Sequence, residues 1–318
     1  MLSAVKNMNL LGKKRIPFFF LIDFEMRKPL VIPFSEINSS QLIFEMGVRN
    51  PKEKKHGNIE FKEHVMGFEQ YKAAFEFVQS HLHAGNSYLL NLTFPTLIET
   101  DLDLNTIYLL SHAKYKLKYL DEFVCFSPET FVKIKQNVMY SYPMKGTIDA
   151  ALPDAEQMLM NDPKEIAEHN TIVDLIRNDL SMVAKEVRLT RYRYIDKICT
   201  NNKTLLQVSS EISGKLQPDW REHIGSMLEK LLPAGSVSGA PKAKTLEIIK
   251  ESEHYERGYY TGIFGVFDGE NLDSAVAIRF IQKINGRLYY KSGGGITVYS
   301  ELTSEYNELI DKIYVPVN

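Results

Sequence analysis

Short apolar runs of strand length, each closed by charged residues, proline or glycine, recur along the whole chain and commit it to a fold rich in antiparallel sheet. Phe18–Ile22 and residues 30–34 are separated by a stretch that ends Arg27, Lys28, Pro29, and read as a strand pair. Residues 88–94, 123–126, 131–134, 138–142, 263–267, 275–281 and 288–291 follow the same pattern. The run 138–142 leads straight into Pro143, Met144, Lys145, Gly146 and Thr147, which places Lys145 at a strand end. Helices are fewer. Phe68, Tyr71, Phe75 and Val78 recur at helical spacing and predict a helix over 68–83, ending near Gly85. Asp162, Pro163 and Glu165 supply a cap, a first-turn proline and an acid three residues past the cap, so a helix should run over 163–178. Further helices are expected near Pro241, with Ser238 or Gly239 capping, and from Ser304. Residues 51–64 read as a charged loop. The resulting class is α+β: largely antiparallel sheets packed face to face, with helices on the outer faces. Residues 1–318 are expected to form a single domain with two intimately packed lobes, of which residues 1–65 carry the least information.

Composition removes several function classes. With 318 residues, 44% hydrophobic, the chain has enough apolar material for a sizeable core. Its 38 basic and 40 acidic residues leave a formal charge of -2, too little field to gather a polyanion such as nucleic acid. Cys125 and Cys199 are far apart, with no CxxC or Cys/His spacing, which suggests neither a zinc site nor a disulfide framework and fits a reducing cytoplasm. The apolar run 16–22 behind Lys13, Lys14 and Arg15 is too short to span a bilayer and runs into Asp23, so it reads as a buried strand, with no membrane role.

The chemistry rests on a lysine and on carboxylates. A lysine is a poor nucleophile near pH 7 unless burial or a nearby cation lowers its pKa from ~10.4 by roughly 3 units. Glu165 and Glu168 share a helix face, as do Glu305, Glu308 and Lys312. Such pairs form either a solvated charged face or a cation site, and Mg²⁺ takes a few carboxylates together with water and substrate oxygens. Ser292 and the three glycines 293–295 read either as a nest that receives a carboxylate or as a close strand approach. Ser236 lies in a loop entering a helix, where anions are favoured. Arg279 ends an apolar strand and is either a surface residue or a carboxylate clamp.

Taken in order, these segments resemble the chorismate-utilising enzymes, and within them most closely the aminodeoxychorismate synthase component I branch. The series is Ser127-Pro128-Glu129, then 143–147, 167–179 (AEHNTIVDLIRND), 235–242 (GSVSGAPK), 257–262 (RGYYTG), 277–279 and 292–295, covering roughly residues 65–318. The N-terminal part is shorter than in typical members. The resemblance implies amination of chorismate by ammonia at C4, with Lys145 as covalent nucleophile where anthranilate synthases usually have alanine. It also implies Glu129 as general acid or base, Glu165, Glu168, Glu305 and Glu308 as the Mg²⁺ shell, and Tyr260, Arg279, Gly294, Gly295 and Lys312 as carboxylate binders. Ser236 stands where anthranilate synthases often have threonine.

Two positions depart from the family pattern. Leu89 occupies the place of the water-activating lysine of isochorismate and salicylate synthases, which argues against those activities. Many aminating relatives have glutamine at that place. Gln207 stands where many relatives have a histidine near the leaving hydroxyl; it donates a hydrogen bond but has no proton titrating near pH 7. The chain has no motif for hydrolysing glutamine, so a separate glutaminase subunit is expected to deliver ammonia for 4-aminobenzoate and folate synthesis. The competing readings are an anthranilate synthase component I and a catalytically silent chorismate-binding subunit.

Overall fold

The pentapeptide Phe-Phe-Phe-Leu-Ile offers no polar side chain to water, so it settles only where both of its faces are covered. In the computed structural model residues 18–22 form a strand whose five residues are all 0% exposed. The structure describes residues 1–47, 61–199 and 204–316. Along the chain come α1 (Leu2–Lys13), β1 (Phe18–Ile22), β2 (Leu30–Pro33), β3 (Leu42–Met46), β4 (Lys62–His64), α2 (Phe68–His83) and β5 (Leu89–Glu99). Next are α3 (Leu104–Leu110), β6 (Tyr115–Tyr119), β7 (Phe123–Ser127), β8 (Thr130–Lys135), β9 (Val138–Ser141), β10 (Met144–Asp149), α4 (Ala155–Asn161) and α5 (Pro163–Ser181). There follow β11 (Lys185–Cys199), β12 (Thr204–Lys215), α6 (Ile224–Leu231), β13 (Gly239–Ala240) and α7 (Lys242–Glu253). The last elements are β14 (Ile263–Phe267), β15 (Leu272–Val276), β16 (Phe280–Ile284), β17 (Arg287–Ile296) and α8 (Leu302–Asp311).

Two units are woven from alternating segments. The first takes Met1–Ile37, Glu129–Ser236 and Gly262–Val276; the second takes Asn38–Pro128, Val237–Thr261 and Ala277–Asn318. In the first unit one antiparallel sheet runs β10-β12-β9-β8-β15-β14-β1-β2, and β11 also pairs with β12. Helix α1 buries Ala4, Val5, Met8 and Leu11, a spacing that follows the helical period. It lies so close to α6 that a Cβ on Gly225 would stand 2.5 Å from the Val5 carbonyl oxygen. Asn9 Oδ1 accepts the Gly225 N–H at 2.8 Å and fixes that approach. Helix α5 starts where expected: the Asp162 carboxylate accepts the N–H groups of Lys164 at 2.8 Å and Glu165 at 3.0 Å. A cap of this kind contributes roughly 1 kcal/mol.

In the second unit the sheet runs β13-β5-β17-β16-β7-β6-β3, with β4 also on β5. The β5–β17 ladder extends from Ile98 opposite Leu288 to Leu90 opposite Ile296. Helix α2 buries Tyr71, Phe75, Val78 and Leu82, and the Tyr71 ring meets Phe94 of β5 edge-on at 5.8 Å. Ile98, Ile107, Val124, Phe126, Ile281 and Tyr290 form an apolar core within this unit.

The α+β class and the antiparallel sheets agree with the sequence, but several boundaries differ. Lys145 lies not at the end of β9 but second in β10, a strand of its own that pairs with β12. The apolar run 275–281 is not one strand: β15 stops at Val276 and β16 starts at Phe280, with Arg279 at φ +54° between them. Strands β5 and β17 each run further than their apolar runs. The glycines 293–295 are extended ladder opposite Asn91, Leu92 and Thr93, which is the close strand approach of the two alternatives and not the nest. Pro241 is the N-cap residue of α7, and neither Ser238 nor Gly239 caps it. Helix α8 begins at Leu302, two residues early. Of the loop expected over 51–64, residues 62–64 are β4 and residues 51–60 lie outside the described residues. No helix among the described residues is long and apolar enough to cross a membrane, which leaves strand-built barrels unaddressed.

Candidate active site

In the first unit the lysine and its carboxylates meet where β10 passes beneath α5. Lys145 Nζ stands 2.6 Å from Glu168 Oε2, and the Glu168 side chain is 6% exposed. Lys164, one helical turn earlier, places its ammonium 3.8 Å from the other carboxylate oxygen, Oε1, which is buried and receives no hydrogen bond from the described residues. Glycine is required beside Lys145 for two reasons. Gly146 has φ +76° at a bulge in the β10–β12 ladder, and a Cβ there would stand 2.7 Å from Glu165 Oε2. Glu165 and Glu168 are thus both held close to the strand that carries Lys145.

A buried imidazole anchors this arrangement. His169, 0% exposed, places Nε2 2.7 Å from Ser210 Oγ on β12. Ser210 Oγ accepts the Arg193 N–H at 3.0 Å, and the Ser210 N–H donates to the Pro143 carbonyl at 3.0 Å. Burial pushes the His169 pKa down to about 4, with the Arg193 and Lys145 cations adding to the depression. In the sequence the signal for His169 is its place directly after the paired Glu168 on the helix. Gln207 does not join Lys145: it is on β12 opposite Thr147, and its Nε2 donates to Thr147 Oγ1 at 3.4 Å.

Glu129 and Ser236 were nominated separately and the fold joins them, with Ser236 Oγ donating to Glu129 Oε1 at 2.5 Å. Beside them is a cavity of about 20 Å³, lined also by Thr130, Tyr142 and Asp179. That space is far below the ~300 Å³ or more of a pocket for a small organic molecule.

In the second unit α8 lies over the glycine strand. Lys312 Nζ donates to Glu308 Oε1 at 2.5 Å and to the Gly293 carbonyl at 2.8 Å. A Cβ on Gly294 would stand 3.2 Å from Glu305 Oε2 and 3.4 Å from Glu308 Oε1, so the bare backbone leaves room for both carboxylates. Glu305 is 3% exposed. Pairing of β17 with β16 stops at Lys291, while pairing with β5 continues through Gly295. Gly295 is opposite Asn91, and Leu89, at the start of β5, is buried opposite Ala240. Tyr260 is buried, which pushes its phenol pKa up. The Arg279 guanidinium lies 4.9 Å from the Tyr314 ring centre, and its Nε has no hydrogen-bond partner among the described residues. Arg257 makes a bidentate pair with Glu253 at 2.6 and 2.8 Å and donates to the carbonyls of Val237 and Asn91.

The donors fit Mg²⁺ in kind. In the first unit they are the Glu165 and Glu168 carboxylates beside Gly146, with one buried Glu168 oxygen that has no hydrogen-bond partner among the described residues, and in the second unit they are Glu305 and Glu308 beside Gly294. Among the described residues no three His, Cys, Asp or Glu side chains gather into a ready-made cage. Mg²⁺ does not need one, since it is usually held by one or two carboxylates plus substrate and water.

The sheets and helices define a fold shared with known enzymes of chorismate. The menaquinone-specific isochorismate synthase MenF of Escherichia coli matches with a TM-score of 0.72, covering 98% of this chain and 80% of that one, at 15% identity. The chain belongs to the chorismate binding enzyme family, whose model matches residues 35–318. An "uncharacterized PabA-like protein" of Haemophilus influenzae is 52% identical over 98% of this chain and 96% of its own length. Aminodeoxychorismate synthase component 1 of Klebsiella aerogenes is 33% identical over 78% of this chain and 57% of that protein.

Proposed function

We propose that this chain aminates chorismate at C4, acting as component I of an aminodeoxychorismate synthase. The observation that carries the reading is Lys145 itself: a lysine on β10, at the position where the resemblance separates 4-amination from 2-amination, held against Glu168 at 2.6 Å. In this reading Lys145 Nζ forms a bond to C2 of chorismate as the C4 hydroxyl leaves. Ammonia then bonds to C4 and the lysine departs from C2, giving 4-amino-4-deoxychorismate. Covalent catalysis of this type divides one difficult displacement into two easier ones. Glu129, oriented by the Ser236 hydroxyl, moves a proton at the reacting ring. Tyr260, Arg279, Gly294, Gly295 and Lys312 are assigned to the substrate carboxylates.

Glu165, Glu168, Glu305 and Glu308 are the carboxylates proposed to hold Mg²⁺. When bound, the ion neutralises charge on the substrate carboxylate and the departing hydroxyl. Gln207 orients that hydroxyl by hydrogen bonding, without titrating. A glutaminase partner supplies the ammonia, in a cytoplasmic setting and toward 4-aminobenzoate. The test is incubation of the purified chain with chorismate, Mg²⁺ and excess ammonium, with products identified by liquid chromatography and mass spectrometry. Aminodeoxychorismate that vanishes on chelation is expected, as is a shift toward 2-amination in Lys145→Ala. Anthranilate from the wild-type chain would replace this reading with 2-amination, and chorismate binding without turnover would replace it with a silent subunit.

A further inference from the structure

We infer that Lys145 and a divalent cation compete for Glu168, so that the proposed nucleophile stays docked on that carboxylate until the cation displaces it. The inference rests on the function proposed above and adds a coupling between its lysine and its metal donors. Lys145 Nζ is 2.6 Å from Glu168 Oε2, and the carboxylate is nearly sealed from water at 6% exposed. A divalent ion on that oxygen, at the ~2.1 Å usual for Mg²⁺, would lie within about 5 Å of the ammonium. Repulsion between like charges at that distance is weakly screened in a buried setting. A divalent ion and the close Lys145 ammonium are therefore held badly together on that oxygen.

The surroundings make Lys145 the competitor that matters. Its side chain is 23% exposed, whereas Lys164, 3.8 Å from the other oxygen, is 40% exposed and better screened. The docking also has a geometric cost for the chemistry. With Nζ paired to Glu168 on α5, the lysine is engaged by that carboxylate and is not free to bond to a ring carbon. Occupation of Glu168 by the cation would both complete the metal site and set the nucleophile loose, so that Lys145 is presented only when the metal is loaded.

Mn²⁺ titration of the full chain without substrate, with free ion counted by electron paramagnetic resonance, tests the coupling without reference to turnover. Lys145→Met and Lys145→Gln should each bind Mn²⁺ about tenfold more tightly than wild type, Lys164→Met should change affinity by less than about threefold, and Glu168→Gln should bind more weakly. Thermal unfolding of each variant controls for folding, and the neutral glutamine substitution keeps a polar group at the site. Equal or weaker Mn²⁺ binding by both Lys145 variants overturns the inference. So does a Glu168→Gln chain that binds as wild type does, or the absence of Mn²⁺ binding throughout. A wild-type chain that yields aminodeoxychorismate while its Lys145 variants bind Mn²⁺ no tighter would refute the competition and leave the proposed function intact.

Discussion

His169 makes the stability of the first unit depend on acid in a calculable way. Its imidazole is buried against Ser210 with pKa near 4, against an ordinary value of 6.5. Between those values the unfolded chain binds a proton that the folded unit refuses. The histidine therefore costs no stability well above pH 6.5, and its penalty grows as the pH falls toward 4. At 1.36 kcal/mol per pKa unit, the full penalty is about 3.4 kcal/mol, of which about 2 kcal/mol develops between pH 7 and pH 5. Trp220 is the sole tryptophan, lies buried in the first unit and donates Nε1–H to Asn137 at 2.8 Å. Its fluorescence during urea unfolding therefore reports on the unit that contains His169. With chelator present, wild type should lose about 2 kcal/mol more than His169→Gln between pH 7 and pH 5, because the glutamine amide still reaches Ser210 but takes no proton. Parallel pH dependences for the two chains would refute the buried neutral imidazole.

Glu253→Gln deprives Arg257 of its carboxylate in a site where both side chains are 1% exposed, and should destabilise the second unit by about 3–5 kcal/mol; an unchanged melting temperature would count against this. Gly294→Ala places a methyl group 3.2 Å from Glu305 Oε2, so Mn²⁺ affinity should fall while the melting temperature changes little, and unaltered binding would remove Glu305 from the donor set. Gln207→His introduces a titrating group opposite Thr147 and should alter turnover and its pH profile; identical kinetics in a correctly folded variant would take this position out of the mechanism.

What could be read from the sequence was whatever local chemistry decides. The α5 start needed only Asp162, Pro163 and Glu165, and the paired glutamates followed from helical spacing. Strand β10 was hidden because the alternation of Met-Lys-Gly-Thr-Ile-Asp has only two large apolar residues, Met144 and Ile148, with Gly146 between them at a register break; pairing with β12 makes it a strand. The split between β15 and β16 was equally invisible, since an unbroken apolar run gives no sign of a residue at φ +54°. Helix α1, by contrast, has a legible period in Ala4, Val5, Met8 and Leu11. The Glu129–Ser236 and His169–Ser210 pairs join residues 107 and 41 positions apart, and no local pattern encodes such contacts. Gly293 is explained by close approach, since a Cβ there would stand 2.3 Å from the Leu92 carbonyl oxygen.

The fully buried strand β1 also bears on how the chain is made. One of its edges pairs with β2, made almost at once, but the other pairs with β14, near the opposite end of the chain. At 5–20 residues per second, synthesis leaves that second edge unpaired for roughly 10–50 s. Throughout that interval Phe-Phe-Phe-Leu-Ile is an uncharged, aromatic strand open to pairing with neighbouring nascent chains. Production of this protein should therefore gain from holdase chaperones, and refolding from denaturant should give better yields the more dilute the chain.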